Sequence, residues 1–531
     1  MTSKRPNPSP RLNASANSSA GASANPRANS STGVSASANS SASATPRANS
    51  SAGVSLSANS SPRVNSSAGA RPRANSSASA IPRANSSAGA GVSVGVSASA
   101  SVSAPPVIDL RSFAGTPPRV RPQRPYFSCG PTAKRPGWSP DFLAHAPLGR
   151  NHRTPDGLAL IQEALTMMRE LLTLPDDYRI AIVPGSNTGA FEMAMWGLLG
   201  RRGVDVLGWE AFGHRWVRDV LDELQLGDSR AFIADYGDLP NLDAVNDHQD
   251  RDVVFTWNGT TSGVRVPNGD WIHPDRTGLM LADATSAMFA FPVPISKLDV
   301  ITFSWQKALG GEAAHGILIL SPKAIARLET HTPKWATPKL FRLAEEGVVN
   351  DSLFDGLALN TPSLMCVADA VDALRWASDI GGVAELFART QRNAKVVDEW
   401  VQGREDVGYL ARDPATISPT ALCLMPRSAW YNEADDATRQ ALMQAVVRLL
   451  AGEGVAYDIN SYRLAPPGLR LWGGPTVEVE DMQALMAWLD WGLAAAEAFA
   501  DKHSHGDVGD VNADVNAPNN RKHDRKQVSV V

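Results

Sequence analysis

The sequence predicts an α/β fold built on one large, mixed but mostly parallel central sheet. Two observations carry this. Six short runs of β-branched and apolar residues recur between stretches of helical periodicity: RIAIVPG (179–185), VDVLGW (204–209), DVVFTWNG (252–259), GLMLAD (278–283), LDVITFSW (298–305) and HGILIL (315–320). Each run is apolar throughout instead of alternating, which fits strands covered on both faces by helices. The first strongly patterned helix follows Asp156, with Leu158, Ile161, Leu165, Met168 and Leu172 on one face. From about residue 381 the pattern turns to helices with a few strands (ALCLMP, VAYDI, LRLW). That shift predicts a smaller C-terminal α+β domain over 381–498 beside a large domain over 106–380.

The ends read differently. Residues 1–105 are Ser, Ala, Asn and Gly with scattered Pro and Arg, and the unit PRANSS begins at Pro26, Pro46, Pro72 and Pro82. The spacing is irregular, so no solenoid period is present. Such a composition buries too little apolar area to offset chain entropy, and a disordered tail is expected there, as it is over 499–531. No apolar run follows Lys4 and Arg5, so no secretory signal is expected, and the NSS triplets are read as repeat composition and not as glycan acceptors. Charges of both signs are mixed, with a formal net charge of -4, which points away from nucleic-acid and membrane-surface partners. No run of about 18 apolar residues predicts a membrane span. Cys129, Cys366 and Cys423 make neither a CxxC pair nor a zinc spacing. No disulfide framework and no metal are expected, and a reducing cytoplasm fits.

Chemistry concentrates in a few segments. In SWQKALGGEAAHG, Lys307 lies just past an apolar strand, where open α/β sheets place their ligands. The small neighbours Ala308, Gly310, Gly311, Ala313 and Ala314 leave room for a bulky group on the amine. A lysine desolvated in such a place has a lowered pKa and becomes a usable nucleophile. Asp283 ends the preceding strand; it either caps the next helix or faces a ring nitrogen and keeps it protonated, as pyridoxal-phosphate chemistry needs. PGSNTGAFEMAMW (184–196) runs from strand through a Gly- and Ser-rich turn into an apolar helix, either a structural turn or a generic cradle for one phosphate. It is neither a P-loop nor a dinucleotide fingerprint. NGTTSG (258–263) offers Thr260, and NTPS (360–363) offers Asn360 and Thr361, each either a structural turn or a ligand contact. His152, Arg153, Arg463 and Arg470 are candidates for anionic substrate groups, since a guanidinium fork suits carboxylate and phosphate.

Taken together these segments resemble the phosphoserine aminotransferase family, class V aminotransferases of PLP fold type I. FSCGPTAKRPGW (127–138), TWNGTTSGVRVPNGDW, LADATSA, FSWQKALGGEAAHG, NTPS and YRLAPPGLR follow in the family's order, and the resemblance covers about residues 120–497. It implies pyridoxal 5′-phosphate as cofactor, with Lys307 as the Schiff-base lysine, Gln306 beside it and Asp283 on the pyridine nitrogen. It also implies Phe212 stacked on the ring, Asn187 and Thr188 on the phosphate, and Thr260 as a further contact. Asn360 and Thr361 would reach the phosphate from a partner subunit, hence a homodimer with the active site at its interface. Arg470 would take the substrate α-carboxylate; His152, Arg153 and Arg463 would lie near the distal phosphate or carboxylate. The chain departs from the better-known branch at Thr188 (arginine there), Phe212 (tryptophan), Cys129 (serine) and Tyr462 (histidine).

The implied reaction exchanges the amino group between O-phospho-L-serine and 2-oxoglutarate, giving 3-phosphooxypyruvate and L-glutamate, in L-serine biosynthesis, with pyridoxine biosynthesis as a second use in some relatives. Other readings stay open at this stage. A cysteine desulfurase needs an exposed thiol on a mobile loop, and an alanine–glyoxylate aminotransferase is told apart by its better donor. A non-catalytic PLP-binding protein would make the repetitive tail the working part.

Overall fold

A computed structural model of the protein describes residues 107–504; the tail expected over 1–105 and most of that expected over 499–531 lie outside the described residues. The main sheet has seven strands: β1 Arg179–Pro184, β2 Val204–Gly208, β3 Ser229–Ile233, β4 Asp252–Thr256, β7 Met280–Asp283, β8 Val300–Phe303 and β9 His315–Leu320. Between them, β5 Asn258–Gly259 and β6 Val264–Arg265 form a short antiparallel hairpin. The sheet order is β1-β9-β8-β7-β4-β2-β3, and only β9 runs antiparallel to its neighbours. Strands β2, β4, β7, β8 and β9 are buried at every position, as their unbroken apolar runs predict.

Strand β3 carries no such run. It is an edge strand whose residues are all partly or fully exposed, so its sequence SRAFI lacks the signal that marks the interior strands. Helices cover both faces. They are α1 Pro155–Leu171, α2 Ser186–Leu198, α3 Ala211–Arg218 (continued by a π-turn over Asp219–Glu223) and α4 Pro322–Thr330. The hairpin β10 Ala344–Glu345 and β11 Val348–Val349 follows, then α5 Asp351–Phe354 and α6 Leu364–Asp379. Helix α1 starts where Thr154 caps it through Gly157 N and Pro155 takes the first position, and it buries Ile161, Leu165 and Met168 against α6 and the sheet.

The C-terminal part holds a second sheet, β12 Val407–Tyr409, β13 Ala421–Pro426 and β14 Leu469–Trp472, all antiparallel. It is packed with α7 Gly382–Gln402, α8 Ala429–Asn432, α9 Asp436–Gly452 and α10 Val479–Ser504. Helix α10 runs past the expected limit at 498 to Ser504. The expected strand VAYDI is not a ladder strand. Asp458 stands at φ +57°, in the left-handed region, which breaks an extended run, and Tyr457 makes only a single bridge to Tyr126. That bridge and the bond from Trp472 N to Phe127 O lay the 125–133 segment across the second sheet and toward Lys307. Among the described residues, no helix is long and apolar enough to cross a membrane.

Candidate active site

The carboxyl ends of the parallel strands deliver the site. Residues following β1 (Ser186, Asn187, Thr188), β2 (Glu210, Phe212), β4 (Thr256, Asn258, Thr260), β7 (Asp283, Thr285) and β8 (Gln306, Lys307) line one cavity of about 140 Å³, with Trp216 of α3. This is where an open α/β sheet leaves room between its loops.

Asp283 is buried and held from two sides. Its Oδ1 accepts from Thr285 N at 3.1 Å and Thr285 Oγ1 at 2.6 Å, and its Oδ2 accepts from Trp216 Nε1 at 3.1 Å. Burial pushes its pKa up, against those donors and the nearby Lys307 amine. An isolated carboxylate in such a place calls for a cation opposite it. Lys307 Nζ donates to Cys129 O, and burial lowers its pKa to about 8, with Arg470 pushing the same way. The strand end before it is clamped by the N-terminal segment: Thr132 N donates to Gln306 O at 3.1 Å and Thr132 Oγ1 to Lys307 O at 2.6 Å. Gly130 sits at φ +153°, a backbone conformation that L side chains rarely adopt, and a Cβ there would push the Lys307 amine aside.

The turn after β1 has the shape an anion cradle needs. Gly185 sits at φ +84° and Ser186 at φ +51°, which turns the chain sharply into α2. Ser186 N–H donates to Ala314 O at 3.2 Å, which leaves the N–H groups of Asn187 and Thr188, at the positive end of the helix dipole, for an anion. Gly316 on β9 lets the two pass, since a Cβ there would meet Ser186 O.

Several buried polar atoms around the cavity have no partner: Asn187 Oδ1, Thr256 Oγ1, Asn258 Oδ1 and Gln306 Oε1, with Arg470 Nε nearby. Orphaned groups of this kind are costly unless a ligand completes them. An aldehyde-bearing pyridine with one phosphate matches the set. Lys307 would meet the aldehyde, Asp283 the ring nitrogen, and the α2 N-terminus the phosphate. The donor chemistry therefore fits pyridoxal phosphate, and Asn258 stands beside the expected Thr260 in the lining. Thr260 Oγ1 is already engaged with Ser286 Oγ at 2.7 Å, and Asn258 Nδ2 bonds the same Ser286 Oγ at 2.8 Å and Thr420 Oγ1 at 3.0 Å, leaving Asn258 Oδ1 free.

Comparison with known proteins agrees with this geometry. No family profile matches the chain. The phosphoserine aminotransferase of Methanosarcina mazei is 48% identical over 375 residues, 71% of this chain and 98% of that protein. That of Methanosarcina barkeri is 49% identical over the same shares. The chain belongs to the phosphoserine aminotransferase family. Among solved structures, the phosphoserine aminotransferase of Cytophaga hutchinsonii superposes with a TM-score of 0.60 at 18% identity, covering 70% of this chain and 99% of that one. At that identity the likeness speaks for the fold alone, an α/β fold of the type I aminotransferase kind.

Phosphoserine aminotransferases must also hold a substrate, and cations gather beside Phe212, one wall of the cavity. Phe212 packs against Tyr462 with ring centroids 5.6 Å apart, and the guanidiniums of Arg463 and Arg470 each lie 5.8 Å from the Tyr462 ring. Of the residues expected in the site, His152, Arg153, Asn360, Thr361, Arg463 and Arg470 do not line the cavity of this chain, although Arg470 is close enough to act on the Lys307 amine. His152 is buried at the start of α1 with its pKa lowered by burial, while Arg153, Asn360 and Thr361 are exposed. The sequence reading missed Ser186, Glu210, Trp216, Thr256, Asn258 and Thr285. Glu210 is fully buried, caps α3 through Gly213 N at 2.7 Å and accepts from Thr261 Oγ1 at 2.7 Å, and burial raises its pKa. Its signal was available, because a carboxylate that opens a helix directly after a buried strand is a capping pattern. Trp216 had none beyond helical spacing from Phe212.

Proposed function

We propose that this chain is a homodimeric, pyridoxal-phosphate-dependent phosphoserine transaminase that converts O-phospho-L-serine and 2-oxoglutarate to 3-phosphooxypyruvate and L-glutamate in L-serine biosynthesis. The observation that carries it is that Lys307 and Asp283, on adjacent parallel strand ends, face one cavity ringed by unpartnered polar atoms. When bound, pyridoxal phosphate supplies a carbonyl that carries the amino group and a ring that accepts the electron pair left at the substrate Cα.

The protein's residues do the rest. Lys307, with its amine substantially neutral near pH 8, takes the proton from Cα. Asp283 keeps a proton on the ring nitrogen, and its pairing there offsets the burial that raises its pKa. Phe212 fixes the ring plane, and Asn187, Thr188 and the α2 N-terminus hold the phosphate, with Thr256, Asn258, Thr260 and Gln306 around the ring. Arg470, buried at Nε and close enough to perturb Lys307, receives the α-carboxylate, and Arg463 the distal anion. Cα is thereby oriented toward the Lys307 amine.

The dimer reading rests on Arg153, Asn360 and Thr361, exposed polar residues outside this chain's own cavity, together with buried His152. A two-fold partner would bring them to the other cavity. Mixing Lys307→Ala subunits with Asn360→Ala/Thr361→Ala subunits should restore activity in hybrid dimers; a monomeric mass by light scattering would rule the dimer out. The desulfurase alternative loses support because all three cysteines are buried, with Cys129 and Cys423 thiols pushed up by burial. Three free thiols also support a reducing, cytoplasmic setting. The deciding assay is a donor screen with 2-oxoglutarate. Phosphoserine should exceed serine and alanine as donor, and a preference for alanine, or sulfide release from cysteine, would overturn the assignment.

A further inference from the structure

Phosphoserine and glutamate must use one site, yet they differ in charge at the far end. Near neutral pH the phosphate monoester is close to a dianion, whereas the glutamate side chain carries a single charge. The mouth of the cavity holds one cation more than glutamate needs. Besides Arg463 and Arg470, Arg215 reaches the same aromatic ring: its Nη2 donates to Tyr462 Oη at 2.9 Å, and its guanidinium lies 5.3 Å from the Phe212 ring. Three guanidiniums therefore surround the Phe212–Tyr462 pair. Among the described residues none of them has a carboxylate within ion-pair distance; Asp219, one turn on, feels the Arg215 charge without pairing to it. Three like charges gathered around one small ring repel one another unless an anion joins them. The Tyr462 hydroxyl accepts from Arg215 and keeps its own proton to donate.

We propose that Arg215, positioned by Tyr462, is a specificity-determining residue that takes the second charge of the substrate phosphate. With an α-carboxylate on Arg470 and a phosphate dianion shared by Arg463 and the Tyr462-positioned Arg215, three positive charges meet about three negative ones. Glutamate leaves one guanidinium without a partner. Arg215 comes from α3 on the large sheet and Tyr462 from the loop before β14, so their bond also ties the two sides of the mouth together. The inference rests on the transaminase reading above and adds a residue to it.

The test uses holoenzyme at constant ionic strength, with kcat/KM measured separately for O-phospho-L-serine and L-glutamate. Arg215→Gln should lower the phosphoserine-to-glutamate ratio by about 10- to 100-fold, the effect expected for a lost hydrogen bond to a charged group, chiefly through KM. Arg215→Lys should recover part of it. Calorimetric titration with inorganic phosphate, a readout that needs no turnover, should weaken by a similar factor. Tyr462→Phe should give a smaller loss, and the double variant should be no worse than Arg215→Gln, because Tyr462 acts through Arg215. A ratio unchanged within about twofold, or equal losses for both substrates, would show general steering by charge and overturn the proposal, and additive losses would overturn the link through Tyr462. If the wild type itself does not prefer phosphoserine to serine, the transaminase assignment falls instead, so the two failures are distinguishable.

Discussion

The lowered pKa of Lys307 offers the sharpest quantitative test. An ordinary lysine, at 10.5, is neutral in only about one molecule in a thousand at pH 7.5. Lowered to about 8 by burial, Lys307 is neutral in about a quarter of molecules at the same pH, a gain of roughly 250-fold in reactive amine. Competitive acylation of the apoprotein across pH 6–11, with Lys307 labelling read by mass spectrometry against exposed lysines, measures this directly. The labelling midpoint should fall near 8. The sign of the linked stability follows: between about 8 and 10.5 the unfolded chain binds the proton and the folded one does not, so apoprotein stability rises with pH across that window. The gain is at most about 3 kcal/mol, at 1.36 kcal/mol per pKa unit. A labelling midpoint at 10 or above, with a flat stability profile over the window, would refute the claim that burial prepares this amine.

Other outcomes follow from the same geometry. Asp283→Asn should cut the half-reaction rate by about 10²- to 10³-fold, the usual cost of removing a preorganised electrostatic partner, and a rate within threefold of wild type in stopped-flow absorbance would contradict its place at the ring nitrogen. Trp216→Phe keeps the ring that packs 4.9 Å from Phe191 but removes the N–H on Asp283. The half-reaction should slow about tenfold with Tm little changed, and an unaltered rate would make Trp216 a packing residue only. Gly130→Ala puts a methyl against the Lys307 amine. Cofactor affinity by equilibrium dialysis should fall at least about tenfold, since over-packing costs about 1–3 kcal/mol, while circular dichroism stays native.

The interior strands, and the strand ends that bring Lys307 and Asp283 to one cavity, were legible because each carries a local signature. Unbroken apolar runs mark strands buried on both faces, and Lys307 and Asp283 sit at the ends of two of them. A glycine-rich turn into a helix likewise announces an anion cradle in one dimension. Strand β3 escaped because an edge strand has only one neighbour and no need of a continuous apolar run. The segment VAYDI misled because its composition is strand-like while Asp458 adopts a left-handed backbone that composition does not reveal.

What only the tertiary structure decided are contacts between residues far apart in the chain. Trp216 meets Asp283, Asn258 is freed toward the cavity by Ser286 and Thr420, the 125–133 segment closes over Lys307, and Arg215 meets Tyr462 across 247 positions. Such pairings have no periodicity to read. They arise from the angles at which strands, helices and the second sheet pack, and those angles are set by side-chain interdigitation throughout the core. The sequence by itself determined the sheet and the strand ends that carry Asp283 and Lys307, whereas packing determined which donors hold the buried aspartate and which cations surround Tyr462.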